Sequence, residues 1–433
     1  MKKTVLFAIM ACLLSVLACN RGVDKSKFVT VRNGEFYIGD SLYRYVGTNF
    51  WYGVILASDK YGDRERLSAE LDSLQSLGID NLRILVGGDG NRHIASHIEP
   101  TLQKEPGVYD EALLDGMDYL LAELERRNMR GVFYLNNAWE WSGGYGQYLE
   151  WAGAGVAPVP LETSYPEYMA FVSQFVQNDS AKALFANHVR NIVGRTNKLT
   201  GKPYAQSPAI MSWQIANEPR AFSEESKPYL ERWLKESAAL IKSIDPNHLV
   251  STGSEGSWGC ENDLDLWTAI HSDPNIDYAN IHIWPYNWSW VRPDSLIADL
   301  PNAFAKTNEY IRAHHNAIQP FGKPIVLEEF GFPRDSMAIA MGTATHARDA
   351  YYKYVFDLIA KTGVIKGANF WGWGGLGKAA HRSWQPGDDY TGDPAQEDQG
   401  LNSVFITDTT TLKMIRRAAA KARSAKPDSD PQH

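Results

Sequence analysis

The chain has 433 residues, 44% of them hydrophobic, enough for one large barrel with elaborated loops or for roughly two to three ordinary domains. Its formal net charge of −8 is spread along the sequence, which argues against nucleic acid as a partner. No long low-complexity or highly charged tract points to disorder, and 14 Trp with 21 Tyr make a heavy aromatic load.

Lys2 and Lys3 precede an apolar stretch from Thr4 to Leu17, the layout of a secretory signal and short for a membrane span. It ends Leu14-Ser15-Val16-Leu17-Ala18-Cys19, which resembles a bacterial lipobox. Residues 1–18 are then a signal peptide, Cys19 carries lipid, and 19–27 form a polar tether. The expected location is the bacterial cell envelope, with membrane contact through that lipid alone. Cys12 leaves with the signal, so Cys260 is the one thiol left in the mature domain, and no internal disulfide can form. A lone Cys260 reads as a small packing residue.

From Phe28 to Arg32 and Glu35 to Ile38 the sequence predicts a hairpin turning at Asn33-Gly34. Strand-like apolar runs follow at Tyr45 to Phe50, Asn81 to Val86, Gly131 to Asn136 and Ala209 to Ala216. Four more lie at His248 to Thr252, Tyr278 to Ile283, Pro324 to Glu329 and Gly367 to Trp371. Helical periodicity fills 63–77, 110–128, 181–197, 223–244, 295–318, 345–362 and 409–423, with a weak helix between Thr252 and Tyr278. Strands this apolar, alternating with helices, call for a parallel sheet covered on both faces. The expectation is an α/β fold, a closed (β/α)8 TIM barrel over 28–425, with residues 426–433 a polar tail. A doubly wound open sheet is the alternative, but Gly87-Gly88-Asp89-Gly90 lacks the spacing of a nucleotide loop.

Barrel enzymes place their chemistry at the C-terminal ends of the strands. Here those ends carry Trp213-Gln214-Ile215-Ala216-Asn217-Glu218-Pro219 and Pro324-Ile325-Val326-Leu327-Glu328-Glu329-Phe330-Gly331. Two strands that each deliver a glutamate to one rim suggest the carboxyl pair that glycosidic cleavage requires. Glu218 and Glu329 are the candidates, with Asn217 placed to meet a sugar 2-hydroxyl. Strand alternation lets only one of Glu328 and Glu329 enter the barrel, and Glu329 is favoured; Glu328 would pair with a helix residue or support the site from behind. Arg83, a charge inside an apolar run, needs a carboxylate partner and would keep a nearby nucleophile ionised. His282 ends the sixth strand, where it can position the acid or bind a hydroxyl. His93 and His97 lack the context of a metal site, His314 and His315 read as surface residues, and neither metal nor cofactor is expected. Trp371 offers a face for a pyranose ring, and Trp139, Trp284, Trp288 and Trp373 could be further platforms.

Several motifs together resemble family 5 of the clan A glycoside hydrolases, in its β-mannanase branch. They include Gly47-Thr48-Asn49-Phe50-Trp51-Tyr52, Arg83, Leu135-Asn136-Asn137 with Trp139-Glu140-Trp141-Ser142-Gly143-Gly144, and Asn217-Glu218-Pro219. Gly253-Ser254-Glu255-Gly256, His282-Ile283-Trp284-Pro285 with Asn287-Trp288, Glu328-Glu329-Phe330-Gly331 and Trp371-Gly372-Trp373-Gly374-Gly375 follow in order, and Gly392-Asp393-Pro394 with Gln399-Gly400-Leu401-Asn402-Ser403-Val404-Phe405 completes the set. The resemblance implies retention of configuration, Glu218 as acid/base and Glu329 as nucleophile. It also implies substrate contacts from Arg83, Asn137, Asn217, Trp139, Glu255, His282, Trp284 and Trp371. Many family members have Tyr where Trp284 stands, so the hydrogen bonding of the nucleophile is a point of departure. The expected substrate is a β-mannan poly- or oligosaccharide, cut internally by a monomeric enzyme. Exo action, a related β-1,4-glucanase and a non-catalytic glycan-binding lipoprotein are the competing readings.

Overall fold

The computed structural model describes residues 24–425. The expected signal peptide, the expected lipidation site Cys19 and the expected polar tail fall outside the described residues. The final part of the expected tether, Lys25–Lys27, is a 3₁₀ turn capped by Asp24.

Eight parallel strands form the barrel wall. They are β1 (Tyr45–Asn49), β2 (Asn81–Leu85), β3 (Arg130–Tyr134), β4 (Ile210–Gln214), β5 (Leu249–Ser251), β6 (Ala279–Ile283), β7 (Ile325–Phe330) and β8 (Ile365–Phe370). Every residue of these strands is buried, as continuous apolar runs covered on both faces demand. Their order is β5-β4-β3-β2-β1-β8-β7-β6. The β5–β6 seam is joined by a side chain instead of a ladder. Asn280 Oδ1 accepts from the N–H groups of Thr252 at 3.1 Å and Gly253 at 3.0 Å. Farther up, the His282 N–H donates to the Glu255 carbonyl at 3.1 Å, so the seam still fixes the site residues above it.

Helices α1 (Arg64–Leu77), α2 (Glu111–Arg126), α3 (Asp179–Val193), α4 (Lys227–Ile244), α5 (Leu264–His271), α6 (Leu300–Ile318), α7 (His346–Thr362) and α8 (Thr409–Arg423) clothe the strands. Asp63, Asp110, Asn178 and Asp263 each accept a backbone N–H at the start of α1, α2, α3 and α5. The predicted hairpin is present, with Val31 opposite Phe36 and a turn at Asn33 and Gly34, both at positive φ. Its Val29 and Phe36 join Tyr45, Val132, Met211, Leu249, Tyr278 and Val326 to plug the lower end of the barrel.

The rim opposite that plug carries the long connections. After β8, Trp373–Gly375 pairs with Val404–Phe405 and folds the loop back on the barrel. Arg348 donates to the carbonyls of Leu401 at 2.6 Å and Ser403 at 2.9 Å, and Arg334 pairs with Asp408 at 2.6 Å. Trp373 is core, not platform: it is fully buried and its indole N–H donates to Glu70 at 2.7 Å. His314 is not a surface residue either. It is buried, and its Nε2 accepts from the Ser257 N–H at 2.7 Å. Cys260 is buried, as a packing residue should be.

Asp89, in the connection after β2, is a buried carboxyl whose Oδ1 accepts from Gln103 Nε2 at 3.0 Å. Burial pushes it up to about 8. A carboxyl raised in the folded state is neutral at no cost at low pH and opposes folding as pH climbs past its unfolded value. Asp89→Asn is therefore expected to be near neutral at pH 4 and to stabilise by a few kcal/mol at pH 8, at about 1.4 kcal/mol per unit of raised pKa. Urea unfolding of both proteins at pH 4, 6 and 8 checks the trend.

Candidate active site

The chain leaves β4 through Ile215, Ala216 and Asn217, and Glu218 sits at φ 48°. A non-glycine residue in the left-handed region is strained, and such strain concentrates where a side chain must be aimed. Pro219 follows, and the turn brings Asn217 and Glu218 to one cavity together. Glu329 arrives from β7, across the rim. Oxygens of Glu218 and Glu329 and a ring nitrogen of His282 all lie within 4.8 Å of one another.

Each carboxyl has its own donors. Glu218 receives the Trp139 indole N–H on Oε2 at 2.6 Å and faces His282 Nδ1 with Oε1 at 2.8 Å. Glu329 is in direct contact with Arg83 Nη1 and receives the Trp284 indole N–H on Oε2 at 3.1 Å. The guanidinium of Arg83 also donates to Gln214 at 2.7 Å, Asn217 at 2.9 Å and Asn49 at 3.1 Å, so every part of it is anchored. Trp284 thus takes the donor's place opposite Glu329, as its N–H permits.

The two glutamates of β7 depart from simple alternation. Ile281 pairs with Leu327 but His282 pairs with Glu329, so Glu328 is an extra residue, a bulge. The bulge turns Glu328 into the barrel interior, not toward a helix. It accepts from Gln214 Nε2 at 2.7 Å and Tyr278 OH at 3.2 Å and lies 3.8 Å from Arg83 Nε.

Burial pushes the Glu329 carboxyl up, opposed by His282 and Arg83 and reinforced by the charge of Glu218. Burial acts on Glu218 the same way, but the hydrogen bond and charge of His282, then Arg220 and Trp139, outweigh it and hold that carboxyl low. In the empty site Glu218 is thus the lower of the two carboxyls, the reverse of the order an acid and a nucleophile need, so geometry and not these directions supports their roles.

The cavity holds about 410 Å³, within the range of small-ligand sites. Of the residues expected to form the site, Trp139, Asn217, Glu218, Glu255, Trp284, Glu329 and Trp371 line it. Arg83, Asn137 and His282 are fully buried behind that surface. Asn137 is a brace, not a substrate contact: it accepts from Asn217 Nδ2 at 3.1 Å and donates to Ser142 Oγ at 3.0 Å. His282 keeps one buried nitrogen, Nε2, without a protein partner. Glu255 pairs with Arg220 at 3.2 Å beside Glu218, and Trp258 stacks on Trp288 with ring centres 4.9 Å apart. Arg220 and Trp258 were not singled out from the sequence. Arg220 directly follows Asn217-Glu218-Pro219, which is the signal that would have found it.

Trp284→Phe removes the indole donor to an ionised carboxylate, a bond worth about 1.5–3 kcal/mol. Turnover is expected to fall roughly tenfold to a hundredfold, with the acid limb of the pH–rate profile moving up. Trp284→Tyr, which restores a donor, should recover most of it; unchanged profiles in both variants would refute the assignment.

This geometry agrees with what the chain is similar to. A solved family 5 mannosidase from Rhizomucor miehei superposes with a TM-score of 0.85 at 32% identity, over 92% of this chain and 98% of that one. The endo-β-1,4-mannanase of Thermotoga petrophila gives a TM-score of 0.67 at 25% identity, over 90% and 78%. Mannan endo-1,4-beta-mannosidase 1 of rice (Oryza sativa subsp. japonica) is 25% identical over 442 aligned positions, covering 97% of this chain and 95% of its own. Residues 26–426 match the family described as GH family 5 beta-mannosidase-like, and the chain belongs to that family.

Proposed function

We propose that this enzyme hydrolyses β-1,4-mannosidic bonds of mannan, glucomannan or galactomannan with retention of configuration, cutting within the chain. The observation that carries the mechanism is the carboxyl pair, with oxygens within 4.8 Å. Inverting enzymes need a wider separation to admit a water between them, roughly 6.5–9.5 Å, whereas direct attack needs ~5–5.5 Å. Glu329 attacks the anomeric carbon as Glu218 passes its proton to the departing oxygen. The resulting mannosyl ester is then opened by water, whose proton returns to Glu218. Arg83 and Trp284, one on each oxygen, hold the attacking carboxylate in place, and the Trp139 N–H and His282 orient the acid. The mannan specificity is supported by the rice and Thermotoga relatives, which are named for that activity.

Purified protein is expected to release reducing sugar from glucomannan and galactomannan and little from carboxymethylcellulose. Proton NMR of the first product should show the β-anomer. A preference for the cellulose derivative would overturn the substrate, and an initial α-anomer the mechanism. Anchoring to the bacterial envelope through Cys19, and a monomeric state, belong to the same proposal. The lipobox-like segment supports the anchor, and Cys19→Ala should move the protein from the membrane to the soluble fraction.

A further inference from the structure

The loop after β8 does more than line the cavity. Between 376 and 403 it holds no helix or strand among the described residues, and an irregular connection that long is usually a functional one. Its segment 378–390 carries Trp384 and Tyr390, both part-exposed and neither lining the cavity. Trp384 stacks on Tyr390 with ring centres 5.8 Å apart and planes 17° from parallel. Tyr390 in turn stacks on Tyr52, at 6.0 Å and 23°. Tyr52 is fully buried, and its hydroxyl donates to the Trp373 carbonyl at 3.1 Å. The three rings make a pile that starts in the core and ends on the surface at Trp384.

The pile is held still. Tyr390 OH donates to the Glu99 carbonyl at 2.8 Å, and Arg66 Nη2 donates to the Tyr390 carbonyl at 2.7 Å. Gln385-Pro386-Gly387-Asp388 is a tight turn: the Asp388 N–H donates to the Gln385 carbonyl at 2.9 Å, and Gly387 takes φ 100°, which a side chain would resist. Asp388 also accepts the Gln385 N–H at 3.0 Å and meets His381 Nδ1 at 2.9 Å, while Asp389 accepts the Lys378 N–H at 3.0 Å. A ring fixed before binding has little freedom left to lose, so stacking on it is not offset by ordering.

What this ring face can recognise follows from its surroundings. The nearby guanidinium groups are already paired, Arg66 with Glu70 at 3.1 Å and Arg382 with Asp398 at 2.6 Å. With Asp388 and Asp389 also in the segment, a phosphate backbone is disfavoured. Two part-exposed rings are too little apolar area for a stable protein interface. A neutral glycan fits: the C–H face of a pyranose covers one ring, and exposed Ser383 and Gln385 offer hydrogen bonds to its hydroxyls. The location points the same way. Trp51 meets Tyr390 edge-on at 5.9 Å and Trp141 at 6.0 Å, and Trp141 lines the catalytic cavity. A run of rings thus joins the pile to the cavity wall on the same rim of the barrel.

We propose that Trp384, backed by Tyr390 and Tyr52, is a glycan-stacking platform outside the catalytic cavity that holds polymeric β-mannan on the rim. The proposal rests on the β-mannan reading of the active site and adds a preference for long chains over short ones. A substrate confined to the cavity leaves Trp384 untouched, whereas a polymer occupies both places.

Affinity electrophoresis in gels with and without glucomannan, run on Glu329→Ala protein so that nothing is hydrolysed, reads binding alone. Kinetics on glucomannan and on an aryl β-mannoside then separate long substrates from short. Trp384→Ala should raise KM on the polymer about threefold to tenfold and reduce the gel retardation, with kcat and the aryl mannoside kinetics unchanged. Trp384→Leu, which keeps apolar bulk against Tyr390 without a flat face, should match it, and Trp384→Phe should keep most of the affinity. Unchanged KM and retardation in Trp384→Ala, or in Trp384→Leu should the alanine variant not fold, would overturn the proposal. So would equal losses on polymer and aryl mannoside, which would mean that the loop merely props the cavity. A wild type that neither binds nor cleaves β-mannan would instead overturn the reading beneath it.

Discussion

Replacing Glu329 by alanine is expected to abolish turnover, lowering kcat on an activated aryl β-mannoside by about four orders of magnitude or more while the fold survives. The carboxylate is in contact with Arg83 and Trp284 and within 4.8 Å of the proposed acid, which is the placement that forming the ester requires. The sharper part of the expectation concerns rescue. A small anion such as azide, filling the space left by the side chain, should restore partial turnover and yield the α-mannosyl azide. Recovery of the β-azide, or full activity without any added anion, would remove Glu329 from the nucleophile's role. Glu328→Gln is the companion control. It keeps an acceptor for Gln214 and Tyr278 and should slow the enzyme far less.

The second large effect belongs to Arg83. Arg83→Met takes one buried cation away from two buried carboxyls, and breaking a buried pair from one side costs about 3–5 kcal/mol. The loss should depend on pH. Glu328 and Glu329 are both raised, burial being the main cause in each, and removing Arg83 takes away a force that holds them down. Carboxyls raised in the folded state oppose folding as pH rises above their unfolded values, so the variant should be weakest at pH 8 and regain stability toward pH 4. Denaturant unfolding at the two pH values measures this, and a pH-independent loss would mean that packing rather than charge dominates. Activity should fall as well, because Arg83 also positions Asn217 and Gln214.

The barrel was legible because its strands are short apolar runs and its helices are periodic; both signals come from burial and are local. The pairing of Glu218 with Glu329 was legible for a related reason. A charge at the end of an apolar strand stands out, and Glu218, Glu329 and Arg83 all do so. What the sequence hid depends on contacts between distant segments. Nothing in Leu327-Glu328-Glu329 marks the bulge, which exists only in the pairing with β6. Asn280 in the seam looks like any polar residue in a strand, and Trp373 looks like Trp371, although one is core and the other lines the cavity. Asn137 was read as facing the substrate because it sits in a rim motif, but its amide is consumed by neighbours. Gln396 and Glu397, which line the cavity from the loop after β8, carry no local sign at all. Their position follows from a loop whose hydrogen bonds are made by Asp393, Gln399 and residues beyond.

The bulge in β7 also bears on the second half of the reaction. A nucleophile in double displacement must attack and then depart, and the two demands oppose each other. A carboxylate held by an undivided arginine would be a good leaving group and a sluggish attacker. Because the extra residue swings Glu328 to 3.8 Å from the same guanidinium, Arg83 divides its charge between two anions. In the proposed mechanism Glu329 then keeps more of its basicity, and the lifetime of the mannosyl ester would be set partly by a residue that does not line the cavity.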